Sequence, residues 1–432
     1  MADGDGRTDE TIFTWGAPAV KFGAGAADEV GFELAQRGAR RVLVVTDPGV
    51  VSTGVPRRIV DSLARSGIES EVFDGVHVEP TDDSIGKAAE YARVQGPWDG
   101  FVAVGGGSAI DTAKAVNLLT THPGELMDYV NPPIGGGRSP AGPLKPLVAV
   151  PTTAGTGSES TAMCVLDVLA MKVKTGISHW RLRPTLAVVD PELTMTLPPE
   201  VTAASGMDIV CHAVESYTAR PYTAFARKAP EDRVTYCGAN PVSDLWCEKA
   251  MTLIARSFRR AVHRGADDVD ARSAMMLAAT FAGMGFGNAG VHLPHGMSYP
   301  VSGLVKEYRA PGYASDHALV PHGVSVILNA PAVFRFTASA NPARHLQAAA
   351  ALGANVSGVH DADAGRVLAD RITWFMQRLR VPNGLRAVGY TPADIPALVE
   401  GTLPQHRVTK LSPRPASPED LATLFEDAMT AW

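Results

Sequence analysis

The first two hundred residues alternate short β-branched runs with segments of helical periodicity. Runs typical of buried strands lie at residues 40–47, 69–73, 99–104, 146–151 and 185–191. Segments with apolar residues at helical spacing lie between them, at 55–67, 84–96 and 109–119. Strands that alternate with helices are typical of βαβ units, in which the helices cover a parallel sheet. The pattern therefore predicts an N-terminal α/β domain with a parallel sheet.

The pattern changes near residues 197–206, beyond which strand signals are few. Helical periods then dominate, at residues 243–262, 271–286, 369–380 and 418–429. The chain has 432 residues, which is long for a single hydrophobic core. We therefore predict two domains, an α/β domain at 1–200 and an all-α domain at 201–432.

Composition excludes several classes of protein. Hydrophobic residues make up 45% and charged residues 19%, as in an ordinary globular enzyme. A net charge of −6 without a basic cluster argues against nucleic acid as a partner. No run of about 18 apolar residues occurs, so we expect no membrane span. The start, MADGDGRTDET, is acidic and lacks the features of a signal or transit peptide, so we expect a cytoplasmic protein.

A glycine-rich turn follows one of the predicted strands. Gly105, Gly106, Gly107 and Ser108 stand between a buried run and a helical segment. Glycines allow close approach to a phosphate, and the amides at a helix N-terminus attract its charge. The turn departs from the GxGxxG pattern of dinucleotide sites, so a simple tight turn is the alternative.

A second cluster of hydroxyl groups and glycines supports a nucleotide site. PTTAGTGSE places Thr152, Thr153 and Thr156 after another strand, where open α/β sheets bind ligands. Asp47 ends the first long strand. Its carboxylate suits the adenosine ribose and would repel a 2′-phosphate, which favours NAD over NADP. The alternative role for Asp47 is a helix cap.

Four side chains are candidates for a divalent metal site. Asp208 and His212 are four residues apart, on one face of a predicted helix, while His295 and His322 each precede a glycine. One carboxylate and three imidazoles suit Fe(II) or Zn(II) with a position left for substrate. A metal beside a nucleotide pocket indicates hydride transfer at a carbon whose oxygen contacts the cation.

The motifs occur together in an order that resembles a known family. GGGSxxDxxK, PTTAGTGSE, the run from Lys174 to Pro184, DPELTxxLPP, D-x3-H and two HG pairs are similar to those of the iron-containing (group III) alcohol dehydrogenases. The resemblance implies the fold of that family, which is dehydroquinate synthase-like, and the metal ligands Asp208, His212, His295 and His322. It also adds Asp111 and Lys174 to the residues expected at the coenzyme.

The chain departs from the family pattern near the predicted metal. Tyr299 stands in HGMSY where many members have a histidine assigned to proton relay. A neutral phenol donates a hydrogen bond but is a poor base at neutral pH. His292 is the other candidate for catalysis, with a structural role as its alternative.

The spacing from His295 to His322 is longer than is common in the family, and the loop after Tyr217 is enlarged. In these features the chain resembles a transhydrogenase branch of the family. The resemblance to that branch implies that 4-hydroxybutyrate is oxidised to succinate semialdehyde while 2-oxoglutarate is reduced to 2-hydroxyglutarate, with NAD bound tightly enough to be reoxidised in place. Both substrates carry carboxylates, which need a cationic partner. We expect that partner in the loops at 219–243 and 303–321, where the candidates are Arg220, Arg227, Lys228, Arg233, Lys306 and Arg309.

Two other functions fit the same sequence. One is an NAD-dependent, iron-type alcohol dehydrogenase that acts on a small primary alcohol or hydroxy acid and releases NADH at each turnover. The other is a non-catalytic sensor on an enzyme scaffold. We also expect a homo-oligomer.

Overall fold

The computed structural model describes residues 9–171, 173–313 and 317–432. Most of the acidic start and residues 314–316 of the second predicted loop lie outside these ranges. The strands are β1 Ala19–Phe22, β2 Arg41–Val45, β3 Glu69–Phe73, β4 Gly100–Gly105, β5 Leu147–Pro151, β6 Met163–Val168, β7 Val173–Ser178 and β8 Leu186–Val189.

Helices connect these strands and then make up most of the chain. They are α1 Val30–Gln36, α2 Pro48–Val51, α3 Val55–Arg65, α4 Asp82–Gln95, α5 Gly107–Thr121, α6 Leu126–Tyr129, α7 Pro199–Thr218, α8 Pro241–His263, α9 Val269–Ala289, α10 Leu293–Gly303, α11 His322–Ile327, α12 Ala330–Thr337, α13 Pro342–Ala351, α14 Ala364–Arg378, α15 Ile395–Thr402, α16 His406–Thr409 and α17 Pro418–Asp427. The predicted fold class, an α/β region with a parallel sheet followed by a helical region, is confirmed.

The chain forms two compact units. Of the described residues, one unit comprises 17–171, 173–202 and 260–283, and the other comprises 9–16, 203–259, 284–313 and 317–432. We call the first the sheet unit and the second the helical unit. The predicted boundary lies at residue 200. In the structure the segment before residue 17 belongs to the helical unit, and the stretch 260–283 belongs to the sheet unit. Helical periodicity predicts that residues 271–286 form a helix, but it does not indicate which unit the helix packs against.

The sheet unit is built on a parallel sheet with strand order β1-β8-β5-β4-β2-β3. Side chains of β2 alternate between its faces. Val42 and Val44 pack with Ile59 and Leu63 of α3, whereas Leu43 and Val45 belong to the core that α4 and α5 cover. Burial on both faces is the reason that these strands read as continuous apolar runs.

Three strands were absent from the predicted set. β1 is four residues long and mostly exposed, so it carries no strong apolar signal. β6 and β7 form an antiparallel hairpin outside the main sheet, with Met163 opposite Ser178 and Val168 opposite Val173. In β7, Thr175 and Gly176 interrupt the run of apolar residues, so the sequence of this hairpin carries no clear strand pattern.

The helical unit carries α10 to α17 and most of α7 and α8. Across the described ranges, no single helix is long and apolar enough to cross a membrane, and α9 and α10 meet the combined condition of length and apolar composition only as a pair bent by 104°.

Candidate metal centre and nucleotide turn

Helix α7 presents a row of buried polar side chains. Asp208, His212 and Glu215 lie at positions i, i+4 and i+7, which share one face of a helix. Their relative exposures are 2%, 4% and 0%. Burying an ionisable group raises the free energy of the folded state unless the group is paired or binds a cation. We therefore expect charged or hydrogen-bonding partners opposite this face of α7.

Helices α10 and α11 supply those partners. His295 lies in the first turn of α10 and His322 begins α11. Oδ1 of Asp208 is 3.6 Å from Nε2 of His212, 3.6 Å from Nε2 of His295 and 3.8 Å from Nε2 of His322. All four side chains predicted as metal ligands therefore come together around one carboxylate oxygen, within the helical unit.

Aromatic packing holds the rings in place. The His212 ring stacks on Phe286 with centroids 3.8 Å apart, and its centroid is 4.7 Å from that of His295. The His322 ring lies edge-on to His295 at 5.4 Å. The His322 side chain is 32% exposed, whereas the other three are nearly covered, so the cluster opens on the His322 side.

The spacing of these atoms fits a cation better than a hydrogen bond. Within the described ranges, Oδ1 of Asp208 and Nε2 of His295 are buried and have no hydrogen-bond partner. Two ligands at about 2.1 Å from a tetrahedral ion lie about 3.4 Å apart, close to the spacings observed here. The ligand atoms of Asp208, His295 and His322 all lie within 4.8 Å of one another. The residues present fit a divalent metal.

The electrostatics of the cluster favour a cation too. Burial opposes ionisation of Asp208, but the neighbouring His212, His322 and His295 outweigh it and lower the pKa of the carboxyl. Burial favours a neutral ring at His295, but Glu215 and Asp208 outweigh it and raise the pKa of this imidazole to about 10. The site therefore stabilises positive charge among these side chains.

Glu215 orients His295 and was not among the predicted site residues. Nδ1 of His295 lies 2.6 Å from Oε1 of Glu215, and a carboxylate can only accept, so Nδ1 carries the proton and donates it. With Nδ1 held in this way, Nε2 is the nitrogen that would offer its lone pair to a cation in place of a second proton, on the side facing Asp208. Oε2 of Glu215 accepts from the backbone N–H of His292 at 2.7 Å. The pattern D-x3-H-x2-E on one helix was the available signal.

The two residues predicted to be catalytic lie on either side of His295. His292 is fully buried, with Nε2 3.2 Å from the Thr218 hydroxyl, and burial lowers the pKa of its ring to about 4. It is therefore neutral at physiological pH. Tyr299 lies one helical turn after His295 in α10 and is 9% exposed. A catalytic role for either residue remains a prediction.

In the sheet unit, the glycine turn joins β4 to α5 as predicted. Gly105 has a φ of +151°, and a β-carbon there would lie 2.7 Å from that of Ala109. A β-carbon on Gly107 would lie 2.8 Å from Cγ2 of Thr156, and one on Gly106 would lie 3.2 Å from Oγ1 of Thr153. The backbone of the glycine turn therefore packs directly against the threonine side chains. A larger residue at Gly106 or Gly107 would prevent this close approach.

Backbone pairing explains why these two loops meet. The N–H of Thr152 donates to the carbonyl of Gly105 at 3.0 Å, which continues the pairing of β4 with β5. The carboxyl ends of both strands lie at one edge of the sheet, where α/β folds bind nucleotides. The hydroxyl of Ser108 accepts a hydrogen bond from the N–H of Glu79 at 3.0 Å.

Three predicted coenzyme residues have protein partners. Oδ1 of Asp47 accepts from the N–H of Val50 at 3.0 Å, so Asp47 caps α2. Oδ2 of Asp111 accepts from the N–H of Val165 at 2.9 Å. Lys174 forms ion pairs with Asp167 at 2.8 Å and Glu79 at 3.2 Å. Contact of these three side chains with a coenzyme remains a prediction.

Lys114 was missed although it closes the GGGSxxDxxK motif. It is fully buried and donates to the Ser158 hydroxyl at 2.7 Å, the Thr161 hydroxyl at 3.1 Å and the Met163 carbonyl at 2.6 Å. Burial lowers the pKa of Lys114, and Asp111 opposes that shift. The side chain ties α5 to the loop that carries the threonine cluster. Only the fold shows that one lysine spans both motifs.

The cations predicted to bind a substrate carboxylate have varied surroundings. Lys306 pairs with Asp394 at 2.8 Å, and Arg233 pairs with Glu10 at 2.6 Å. Arg220 donates to the carbonyl of Ala224, and its guanidinium lies 4.5 Å from the centre of the Phe225 ring.

Comparisons with known proteins cover nearly the whole chain. Residues 17–191 match the family "Iron-containing alcohol dehydrogenase", and residues 202–429 match "Fe-containing alcohol dehydrogenase family, C-terminal". A protein of Bos taurus named "Hydroxyacid-oxoacid transhydrogenase, mitochondrial" is 51% identical over 430 residues, which span 99% of this chain and 92% of the relative.

Solved structures agree. A 1,3-propanediol oxidoreductase has a TM-score of 0.84 and 32% identity, covering 96% of this chain and all of the other. Sulfoacetaldehyde reductase from Bifidobacterium kashiwanohense, solved in complex with NAD+, has a TM-score of 0.80 and 26% identity, covering 97% of this chain and 99% of the other.

The predicted cytoplasmic location is contradicted by these comparisons, because the Bos taurus relative is named as mitochondrial. The prediction was wrong because it rested on the charge of a short segment. The composition of a few residues is a poor guide to the compartment in which a folded protein works.

Proposed function

Because this chain belongs to the iron-containing alcohol dehydrogenase family, and is an oxidoreductase acting on CH–OH groups, we propose that it is a hydroxyacid–oxoacid transhydrogenase. The proposed reaction takes hydride from 4-hydroxybutyrate and delivers it to 2-oxoglutarate. The products are succinate semialdehyde and 2-hydroxyglutarate. The proton lost by the alcohol balances the proton gained by the reduced oxo acid, so the reaction needs no other reductant or oxidant.

One observation carries the proposal. Asp208, His212, His295 and His322 converge on one carboxylate oxygen, and among the described residues Oδ1 of Asp208 and Nε2 of His295 are buried without a hydrogen-bond partner. The chain that holds them matches a transhydrogenase over 99% of its length. This donor set suits Fe(II), and Zn(II) is compatible with it. A bound metal would act as a Lewis acid toward the oxygen on the reacting carbon, and bound NAD would accept the hydride and return it.

The residues of the chain supply position and charge. Asp208 contributes the anionic ligand, and Glu215 sets the ring orientation of His295. We propose that the amides after Gly105 bind the coenzyme phosphates and that Asp47 favours a ribose without a 2′-phosphate, hence NAD. In this arrangement Asp111 and Lys174 support the coenzyme loops through their partners in the protein.

Tyr299 is the proposed proton donor and acceptor for the substrate oxygen. It lies one turn from His295, and its neutral hydroxyl can donate a hydrogen bond to the substrate oxygen and can relay a proton only by giving up its own as it accepts another. His292 is neutral and buried against Thr218, so we propose that it serves as a hydrogen-bonding support for α10 at the end nearest Glu215.

The test is turnover without added nucleotide. Purified protein is incubated with 4-hydroxybutyrate and 2-oxoglutarate, and 2-hydroxyglutarate is measured by chromatography. A transhydrogenase that retains NAD forms product in proportion to time. Absence of product both without and with added NAD would refute the proposal.

An NAD-dependent alcohol dehydrogenase is the second candidate. The 32% identity to 1,3-propanediol oxidoreductase over the full length of that protein favours it. Such an enzyme releases NADH from 1,3-propanediol in the absence of any oxo acid. If 4-hydroxybutyrate with NAD gives NADH at the same rate with and without 2-oxoglutarate, and no 2-hydroxyglutarate forms, this second function holds.

A further inference from the structure

The loop between β3 and α4 lies at the carboxyl edge of the sheet, beside the glycine turn. The N–H of Val76 donates to the carbonyl of Thr46, which follows β2, at 3.2 Å. Three residues later, the N–H of Glu79 donates to the Ser108 hydroxyl in the first turn of α5, at 3.0 Å. The loop therefore contacts the segments that follow β2 and β4, at the edge where α/β sheets bind nucleotides.

Glu79 has a backbone conformation that is rare for a residue with a side chain. Its φ is +58°, in the left-handed region. Such a conformation persists where the surrounding structure holds it. Both backbone polar groups of Glu79 are engaged, because its N–H donates to Ser108 and its carbonyl accepts from Nδ1 of His77 at 3.1 Å. The left-handed turn is therefore the geometry in which the Glu79 N–H meets the Ser108 hydroxyl.

The hairpin of β6 and β7 holds the side chain of Glu79. Nζ of Lys174, on β7, lies 3.2 Å from Oε2 of Glu79 and 2.8 Å from Oδ2 of Asp167 on β6. The Lys174 side chain is 9% exposed, so solvent ions screen these ion pairs only weakly. The backbone N–H of Asp167 also donates to the carbonyl of Pro80 at 2.8 Å. The hairpin therefore fixes the loop at Glu79 and at the residue after it.

The contact with Glu79 limits where the Ser108 hydroxyl can point. A hydroxyl has one proton to donate and two lone pairs that accept. Because the oxygen accepts from the Glu79 N–H, its own proton cannot point toward Glu79. Among the residues that the structure describes, the Ser108 hydroxyl has no acceptor for that proton. The side chain is half-buried at the N-terminus of α5, where the free backbone amides favour an anion.

We propose that Glu79 is a positioning residue for the coenzyme: its backbone N–H turns the Ser108 hydroxyl toward a phosphate oxygen of NAD, and its ion pair with Lys174 maintains the left-handed conformation. The inference rests on the proposed function, in which the turn after Gly105 binds the coenzyme phosphates. It gives Lys174 a role that passes through Glu79. The residues expected at the coenzyme from the sequence included Ser108 and Lys174 but not Glu79.

Variants of Glu79 separate the conformation of its backbone from the charge of its side chain. Glu79→Gln loses the ion pair that holds the left-handed turn, so its Kd for NADH rises by about three- to tenfold. Glu79→Gly also lacks the carboxylate, but glycine adopts this conformation without steric cost and keeps the N–H. The affinity of Glu79→Gly for NADH therefore recovers relative to that of Glu79→Gln. Fluorescence titration with NADH measures each Kd.

Lys174→Met tests whether the lysine acts through Glu79. Removal of its charge weakens NADH binding by a similar factor, and adding Glu79→Gly to the same chain restores affinity. A lysine that contacted the coenzyme directly would give a loss that Glu79→Gly cannot restore. The matched control is Lys87→Met, which removes an exposed lysine of α4 that pairs with Asp83 at 2.6 Å and leaves NADH binding as in wild type. Melting temperatures are measured on every variant.

A double-mutant cycle adds a readout that a merely structural role would not give. Ser108→Ala raises the Kd for NADH by about tenfold or more, because a hydrogen bond to a charged group is lost. Glu79→Gln adds nothing to the loss in Ser108→Ala, since its effect passes through the hydroxyl, whereas general loosening of the loop would add a loss of its own. Fully additive losses, equal affinities of Glu79→Gly and Glu79→Gln, or an unchanged Kd in folded Ser108→Ala would overturn the inference. If wild type itself does not bind NADH, the proposed function fails instead.

Discussion

Glu215 accepts a hydrogen bond from Nδ1 of His295 at 2.6 Å, and this contact directs Nε2 of His295 toward Oδ1 of Asp208, 3.6 Å away. The same carboxylate also accepts from the backbone N–H of His292 at the start of α10. Glu215 therefore fixes both the ring of a proposed metal ligand and the helix that carries it. A residue outside the predicted ligand set thus determines how one member of that set is presented.

Replacing Glu215 with Gln is expected to weaken metal binding about 10- to 100-fold, because the amide no longer draws the proton of His295 to Nδ1 as strongly. Competition with a chromogenic chelator measures the affinity, and metal analysis gives the occupancy. Glu200→Gln, at an exposed position of the same helix, is the control and should bind metal as wild type does. Equal affinities for the two variants would show that Glu215 has no orienting role.

Removal of the metal is expected to lower both activity and stability. A ligand that binds only the folded state at 100 times its Kd stabilises it by about 2.7 kcal/mol. Dialysis against a chelator should therefore lower the melting temperature and abolish turnover, and Fe(II) should restore both. Asp208→Asn should show neither the loss nor the recovery. A wild-type melting temperature indifferent to chelator and metal would argue against a bound ion at this cluster.

At the nucleotide turn, Gly107→Ala is expected to weaken NADH binding about tenfold or more. Its β-carbon would lie 2.8 Å from Cγ2 of Thr156, so the turn and the threonine cluster would have to separate. Fluorescence titration measures the change. Gly86→Ala in α4 is the matched control, since no atom lies within 4 Å of its β-carbon, and alanine should stabilise that helix by about 0.5–1 kcal/mol. Normal NADH affinity in Gly107→Ala would place the coenzyme elsewhere.

Acid pH is expected to destabilise the helical unit through His345. Burial lowers the pKa of this ring to about 4, and its two nitrogens contact Thr337 and Asn341. Between the ordinary pKa of histidine and about pH 4, His345 is protonated in the unfolded chain but neutral in the folded protein. Stability therefore falls as the pH drops through this window, by up to about 1.4 kcal/mol per pH unit.

Urea unfolding between pH 7 and 4 measures this effect. His345→Gln should show a shallower fall in the free energy of unfolding across the window, although its stability at pH 7 is lower. If the pH dependence of the variant matches that of wild type, His345 is not a source of acid sensitivity.

The sequence predicted the parts of this protein in which local pattern and contact coincide. Val42 to Val45 read as a buried strand because both faces of the sheet are covered, and D-x3-H reads as a ligand pair because a helix brings such positions together. Tyr299 was found as a departure from a motif that is itself local.

What the sequence concealed depends on contacts between distant segments. The role of Glu215 becomes visible only from its contact with His295. The role of Lys114 becomes visible only from its hydrogen bonds to Ser158 and Met163. Arg407 and Tyr236 are far apart in the chain, yet Cζ of Arg407 lies 4.9 Å from the centre of the Tyr236 ring. Periodicity and motif spacing contain no such information.

The most direct test of the account is the fate of a deuterium label. Purified protein without added nucleotide is given 4-hydroxybutyrate carrying two deuterium atoms at C4, together with unlabelled 2-oxoglutarate, and the products are examined by mass spectrometry. The account predicts 2-hydroxyglutarate with one deuterium at C2 and succinate semialdehyde with one deuterium at C4. Unlabelled 2-hydroxyglutarate, or none with or without added NAD, would contradict it.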